Sequence, residues 1–417
     1  MTVAPPPPDL PIRRNTALLS ASLAANSGMM QLSAAVASLT FVLVIGVKGL
    51  LGLGPAIVLA SGALAAFPAG RAMDRFGRVP VIATGFVIGT LGGVLAALGS
   101  TLESAPPVFI GLVCVGAAGG TALLARTAAA DMYPPSRRAR GIALVLVGAV
   151  FGAILGPAVF SPLLSGRELD GDSLALLWLA GSGFTLLGLA LVLFVRPDPK
   201  RIAEVLAVGT PAADVRPAAP LKEILLRPGV IPSVLAAQAS FGVMVGVMTL
   251  TGAVVVDHHH HSGEAVFPII GAHVLGMYAL VLFVGDLIDR IGRPPALVGG
   301  LAIMAASVAS LLWIESVPAI AAALFGIGLG WNLSFVAATA QMADCTFPWE
   351  RGRLLGFNDL LSGMTGASLA LLGGYALTVI GVAALAVGGM VLALLPAVWI
   401  ARRGFRVRAE ASPSVAD

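Results

Sequence analysis

Long stretches without a charged residue account for most of this 417-residue sequence. A helix that crosses a bilayer needs about 20 mostly apolar residues, and ten of these stretches are each long enough for one such helix. They are residues 15–47, 49–70, 79–102, 104–125, 141–166, 173–195, 228–256, 265–285, 294–314 and 316–343. An eleventh stretch, residues 360–401, has 42 residues and is predicted to contain two helices with a turn near Thr378–Gly381. The sequence therefore predicts twelve membrane spans.

The composition excludes several classes of protein. Apolar residues make up 58% of the chain and charged residues 11%, against about 25% charged residues in an ordinary soluble domain. A soluble fold cannot bury that much apolar surface, because the core of a single domain stops growing at about 250–300 residues. The net charge of +4 is small, and nucleic acid is not expected as a partner. Cys114 and Cys345 are expected towards opposite membrane surfaces, so no disulfide is predicted.

The distribution of basic residues predicts the orientation. Of the 25 basic residues, only Lys48 and Arg167 fall in loops opposite the termini, and loops rich in Lys and Arg stay in the cytoplasm. We therefore expect an all-α, monomeric protein of the plasma (cell inner) membrane, with two six-helix bundles and both termini in the cytoplasm. The predicted segments are a tail (1–14), a first bundle (15–195), a flexible linker (196–227), a second bundle (228–401) and a second tail (402–417).

An internal repeat relates the two halves. Residues 70–78 read GRAMDRFGR and residues 285–293 read GDLIDRIGR, so both fit G-x-x-x-D-R-x-G-R at a separation of 215 residues. A second similarity links the segments after spans 4 and 10, which begin at Asp131 and Asp344, 213 residues apart. Two matches at nearly one separation indicate a duplication, the parallel-repeat arrangement of secondary transporters.

The repeated motif predicts a gate between the halves. Glycine permits a tight turn, and an aspartate can accept hydrogen bonds from a helix N-terminus or pair with arginine. The alternative is an ordinary positively charged cytoplasmic loop in which the aspartate balances the charge. The predicted gating residues are Gly70, Asp74, Arg75, Gly77 and Arg78, with Asp289, Arg290, Gly292 and Arg293 in the second copy.

These two loop motifs, together with the twelve predicted spans and the central linker, resemble the major facilitator superfamily. The resemblance implies a transporter that works by alternating access, with a solute site between the bundles. No catalytic or phosphate-binding pattern is present in the sequence, so neither an enzyme nor a protein with a cofactor is expected.

Soft donor atoms lie within two neighbouring spans. Met244 and Met248 in span 7 lie four residues apart, as do His273 and Met277 in span 8, so each pair occupies one helix face. Counted from the loop that joins the spans, Met248 and His273 lie at matching depths, as do Met244 and Met277. Thioether and imidazole groups suit Cu(I). A metal site is predicted here, and ordinary packing of methionines is the alternative.

Further polar groups are candidates for function. The joining loop contains His258, His259, His260 and His261, which could collect a metal ion from outside. Asn332 in span 10 is a buried amide that must bind either a solute or a neighbouring helix. Arg126 and Asp131 are predicted to pair, either structurally or as a charge relay. No carboxylate is expected at mid-bilayer, because Asp131, Asp286 and Asp359 are placed near cytoplasmic helix ends.

The paired Met and His motifs, the His-rich loop and the stretch Gly328-Leu329-Gly330-Trp331-Asn332 resemble the branch of CcoA-type copper importers. That resemblance implies copper import, with Met244, Met248, His273 and Met277 as ligands. Closely related members that share these motifs resemble riboflavin transporters. Import of copper is therefore the first prediction, and transport of riboflavin or another small organic molecule, or drug efflux, is the alternative.

Overall fold

The computed structural model describes residues 10–45, 53–164, 170–207, 219–255, 266–278 and 280–404, so the predicted His258–His261 cluster lies outside the described residues. Regular structure within those ranges is helical. The helices are α1 (Ile12–Ile45), α2 (Leu53–Phe76), α3 (Arg78–Thr101), α4 (Ala105–Leu123), α5 (Ala125–Met132), α6 (Arg138–Leu164), α7 (Gly171–Leu193), α8 (Pro199–Ala207), α9 (Leu221–Leu226), α10 (Val230–Ala253), α11 (Val266–Tyr278), α12 (Val281–Ile291), α13 (Arg293–Ser310), α14 (Val317–Asp344), α15 (Arg351–Val379) and α16 (Val382–Gly404).

All twelve predicted spans correspond to these helices. In the described ranges, eight helical segments are long and apolar enough to cross a membrane, and α11 with α12 forms a ninth span bent by 46°. Helices α1, α13 and α15 occupy the three other predicted positions. Span 4 is also interrupted, since α4 ends at Leu123 and α5 begins at Ala125.

The turn inside the long apolar stretch lies where the sequence predicts it. Helix α15 ends at Val379 and α16 begins at Val382. Gly381 between them has φ +99°, a backbone conformation that residues with a side chain rarely adopt. Two residues, Ile380 and Gly381, therefore separate spans 11 and 12.

The helices pack as two halves with equivalent contacts between them. In the first half α1 packs on α6 and α7, and α3 packs on α4 and α7. In the second half α13 packs on α14 and α16, and α10 packs on α14 and α15. The main contacts between halves join α2 to α15 and α12 to α6, which are spans 2 and 11 and spans 8 and 5. These two contacts are related by the sequence repeat.

The described parts of the predicted linker are helical and attached to the bundles. Residues 208–218 lie outside the described residues, while α8 and α9 flank them. Arg227, just after α9, binds both carboxylate oxygens of Glu350 at 2.5 and 2.9 Å. Burial alone would raise the pKa of Glu350, but hydrogen bonds from Arg227 and the backbone N–H of Ala219 lower it below its ordinary value.

Candidate functional site

The first copy of the repeated motif joins α2 to the start of α15. Asp74, near the end of α2, accepts hydrogen bonds from the backbone N–H of Gly352 at 2.8 Å and of Arg353 at 2.6 Å. Those N–H groups belong to the first turn of α15, where a helix has no internal acceptor for them. A carboxylate at a helix N-terminus also interacts favourably with the helix dipole. Asp74 therefore caps a helix of the opposite half.

The second copy makes the equivalent connection. Asp289, near the end of α12, accepts from the backbone N–H of Ala139 at 3.3 Å and of Arg140 at 3.0 Å. These residues form the first turn of α6, in the first half of the chain. Asp74 of the first half thus caps a helix of the second half, and Asp289 of the second half caps a helix of the first. The two aspartates occupy equivalent positions in the sequence repeat.

Two arginines extend the network in the first copy. Arg78, which is fully buried, donates to Asp74 at 2.9 Å and to Asp131 at 2.6 Å, and it also donates to the carbonyl oxygen of Pro348. On the other side of Asp131, Arg351 donates at 2.6 Å. Asp131 therefore lies between an arginine of its own half and one of the opposite half.

The second copy repeats this arrangement. Arg293 donates to Asp289 at 2.7 Å, to Asp344 at 3.0 Å and to the carbonyl oxygen of Pro135 at 2.6 Å. Arg138 from the first half also pairs with Asp344. We call the residues of the two copies together the clasp: Asp74, Arg78, Asp131, Arg138, Asp289, Arg293, Asp344 and Arg351.

The motif glycines have distinct structural roles. Gly77 and Gly292 follow α2 and α12 with φ +99° and +90°, so each provides the sharp turn into the next span. Gly70 lies against α15, where an added Cβ would collide with the carbonyl group of Gly352.

Two predicted gating residues lie outside the clasp. Arg75 is exposed and its guanidinium lies 5.1 Å from the ring centre of Phe76. Arg290 is likewise exposed. Position in the motif is therefore not sufficient for a place in the clasp, because successive residues of a helix point in different directions.

The predicted pair of Arg126 with Asp131 is wrong. Arg126 pairs instead with Asp359 of α15, in the opposite half, while Asp131 is engaged by Arg78 and Arg351. Residues five positions apart on a helix point about 140° away from each other, so Arg126 and Asp131 cannot share one face of α5.

The expectation that Asp359 lies near a helix end is also wrong. Helix α15 begins at Arg351, so Asp359 is eight residues, or about 12 Å, into the span. Because the charged Asp359 precedes the uncharged stretch 360–401, the sequence predicts a start for span 11 that lies too far along the chain. Pro348 and the charged residues after it mark the start of α15 at Arg351 in the sequence.

Asp359 lines a cavity of about 360 Å³ between the two halves. Its wall contains residues of both halves, most of them apolar or glycine. The polar and aromatic lining residues include Asn26, Ser27 and Gln31 of the first half and Phe241, Tyr278, Trp331, Phe335, Asp359 and Ser362 of the second. The clasp closes the molecule on one side of this cavity, the side on which the chain begins α1 and ends α16, which we call the terminal side.

An aromatic stack runs along the cavity wall. The rings of Trp331 and Phe335 are parallel to within 16° with centres 4.7 Å apart, and Tyr278 meets Trp331 edge-on at 6.3 Å. The guanidinium of Arg126 lies 4.7 Å from the centre of the Phe335 ring. Aromatic rings bind other planar groups by offset or edge-to-face stacking.

Comparison with known proteins agrees with this geometry. The sequence matches the Major Facilitator Superfamily over residues 17–272 and 268–415. The chain belongs to the major facilitator superfamily. The resemblance inferred from the loop motifs is thereby confirmed, and so is the twelve-helix, two-bundle fold class.

Two sequence relatives are members of the same superfamily. The riboflavin transporter RfnT of Brucella anthropi is 33% identical over 305 residues, which cover 72% of this chain and 73% of that protein. The uncharacterized MFS-type transporter YdeG of Bacillus subtilis is 31% identical over 360 residues, which cover 84% of this chain and 83% of that protein.

Solved structures share the fold. The proton:xylose symporter XylE superposes with a TM-score of 0.76 at 14% identity over 94% of this chain and 95% of that one. The human organic anion transporter MFSD10 (TETRAN) gives a TM-score of 0.71 at 15% identity over 94% of this chain and all of that one. These structures show the fold, and the family match shows that the protein is a multi-pass membrane transporter of small solutes, in a superfamily of transporters rather than enzymes.

In this superfamily fold, the predicted metal ligands lie in packed surroundings. His273 is buried, and its Nδ1 lies 3.0 Å from the carbonyl oxygen of Leu324 on α14. Met244 and Met277 lie in the apolar core and the partly buried Met248 packs against it, while Asn332 donates to the carbonyl oxygen of Met277. Among the cavity-lining residues that the structure describes, none of these five occurs. Their role as solute ligands stays a prediction.

Proposed function

We propose that this transporter carries a small, flat organic solute of the riboflavin type through the cavity between its halves. The observation that carries the proposal is the aromatic stack of Tyr278, Trp331 and Phe335 on the cavity wall. Aromatic rings bind other rings by offset or edge-to-face stacking, worth about 0.5–1.5 kcal/mol for each pair beyond the area buried.

The size and chemistry of the cavity support the same solute class. Pockets for small organic molecules measure roughly 300–1,000 Å³ and combine an apolar lining with a few polar groups. The cavity of about 360 Å³ falls within this range, and Asn26, Gln31 and Asp359 supply its polar groups. The relative RfnT, named as a riboflavin transporter, adds support from sequence.

Copper import is the competing proposal, favoured by one observation. His273 is buried in a membrane span, and its Nε2 has no hydrogen-bond partner within the described residues. An ionisable residue in such a place is a functional candidate by default. With Met244, Met248 and Met277, it would form a ligand set suited to Cu(I). That set lies apart from the cavity wall, so we place copper second.

We further propose that the protein works as a monomer in the plasma membrane, with the terminal side in the cytoplasm. The excess of Lys and Arg in terminal-side loops supports this orientation. The structure is then the form that is closed towards the cytoplasm. Opening of the clasp would release the solute there.

Uptake into proteoliposomes tests the proposal. We expect saturable uptake of labelled riboflavin by the purified protein, and a reduction of about three- to tenfold in Trp331→Leu, since a stacking surface is lost. Trp313→Leu is the matched control, because Trp313 is 76% exposed and remote from the cavity lining. Membrane abundance and thermal stability of both variants separate loss of transport from loss of folding.

The same vesicles test copper import. A protein that accumulates Cu(I) but not riboflavin, and that loses copper uptake when Met248 and His273 are replaced together by Leu and Ala, would overturn the organic-solute proposal. Uptake of riboflavin that this double variant leaves unchanged would exclude the copper ligands from the transport site.

A further inference from the structure

Several buried hydrogen-bonding groups without a hydrogen-bond partner lie in the cavity wall or directly behind it, where Arg126 pairs with Asp359. In the part of the chain that the structure describes, these are Nε and Nη1 of Arg126, Oδ2 of Asp359 and Nε1 of Trp331. The three residues are 0%, 8% and 6% exposed. Buried polar groups in native proteins nearly always have a partner, so several unpaired groups at one place point to a ligand.

The ion pair holds a donor and an acceptor side by side. Nη2 of Arg126 donates to Oδ1 of Asp359, and within the described residues Oδ2 of Asp359 and the Nε and Nη1 atoms of Arg126 make no hydrogen bond. The guanidinium is planar and rests on the ring of Phe335 at 4.7 Å, so its donors have a fixed direction. Asp359 and Trp331 both line the cavity.

We propose that Arg126 and Asp359 recognise an imide edge of the solute, in which one N–H lies between two carbonyl groups. The N–H donates to Oδ2 of Asp359, and one carbonyl oxygen accepts from Arg126. The inference rests on the proposed function, because the flavin ring of riboflavin carries such an edge around its N3 atom.

The same arrangement explains how a largely apolar cavity selects its solute. An apolar wall discriminates weakly between rings of similar shape, whereas a site built to hydrogen-bond a solute rejects analogues that leave its buried groups unpaired. Arg126 and Asp359 come from opposite halves of the transporter. A solute that binds both of them therefore contacts both halves at once.

Binding of two flavins to the full-length protein tests the inference. Quenching of flavin fluorescence gives the affinity for riboflavin and for N3-methylriboflavin, in which the N–H is blocked. We expect the methylated flavin to bind the unmodified protein at least about tenfold more weakly, since a hydrogen bond to a charged partner is lost.

The variant Asp359→Ala should abolish that discrimination, so that both flavins bind equally and at the level of the methylated one. The matched control is Asp286→Ala, because Asp286 is a partly exposed aspartate that pairs with Arg140 at the terminal surface. This control should keep the full preference for riboflavin. The comparison on the unmodified protein stands even if Asp359→Ala does not fold.

The outcomes separate the two proposals. If the unmodified protein transports riboflavin but binds both flavins equally, the imide site is overturned while the proposed function stands. If it neither binds nor transports riboflavin, the proposed function fails and the imide site fails with it. A preference for riboflavin that persists in Asp359→Ala would also overturn the assignment of Asp359.

Discussion

Asp74 provides two of the hydrogen bonds that join the halves, through the first turn of α15. Replacement by alanine should destabilise the closed clasp by about 0.5–2 kcal/mol, the usual cost of losing a helix cap. The ratio of protein closed at the terminal side to protein open at that side should then fall by about 2- to 30-fold. We expect slower riboflavin uptake with binding retained.

The matched control for Asp74→Ala is Arg75→Ala. Arg75 is the next residue of the same motif, but it is exposed and contacts Phe76 rather than the opposite half. The uptake rate and the flavin affinity of both variants test whether Asp74 acts in the clasp. Loss of binding with an unchanged rate constant in Asp74→Ala, or equal effects in the two variants, would contradict a clasp function for Asp74.

Individual contacts were only partly predictable from the sequence. The repeat identified Asp74, Arg78, Asp289 and Arg293 because duplication preserves both residue type and spacing. Partners distant in sequence were not predictable: Asp359 meets Arg126 across 233 residues. Only the packing of α15 against the first half brings those two charges together.

At the scale of helices, the contact between α2 and α15 depends on Gly70. An added Cβ there would collide with the backbone of Gly352 and lie 3.0 Å from the Cα of Gly356. Gly70→Ala should therefore keep the two helices apart and favour the form open at the terminal side. Maleimide should then label Ser362→Cys from that side more rapidly, in a background without Cys114 and Cys345.

Gly183→Ala is the matched control for this helix contact, because an added Cβ at Gly183, on α7, meets no atom within 4 Å. It should leave labelling of Ser362→Cys at its original rate. If Gly70→Ala labels no faster than Gly183→Ala, close approach of α2 and α15 does not control access to the cavity.

The existence of the spans was predictable, but their interruptions were not. Hydropathy reports how apolar a segment is, and both broken spans stay apolar through the break. Span 8 bends by 46° between α11 and α12 without a proline at the break, so no residue in the sequence marks it. Hydropathy also does not predict the short helices α8 and α9. They are too short to span a membrane, and they pack against neighbouring helices.

At the scale of the whole molecule, the duplicated halves explain how one structure can close either side. The clasp contains two equivalent sets of contacts, so separation of the halves at the terminal side must break both together. The cavity lies between the halves, where relative motion changes its access. The fold followed from periodic sequence features, whereas the cavity wall depends on how eight helices meet and could not be read from any single one of them.

The most direct test of this account measures the distance between the halves at the terminal side. Spin labels at Ser136→Cys and Arg290→Cys, in a background without Cys114 and Cys345, report on two exposed sites in opposite halves. They lie next to the contact between Pro135 and Arg293. Without solute, we predict one short distance, because the clasp is closed.

With saturating riboflavin, we predict a second and longer distance as the clasp opens. A single unchanged short distance, in a preparation that still transports riboflavin, would contradict opening between the halves.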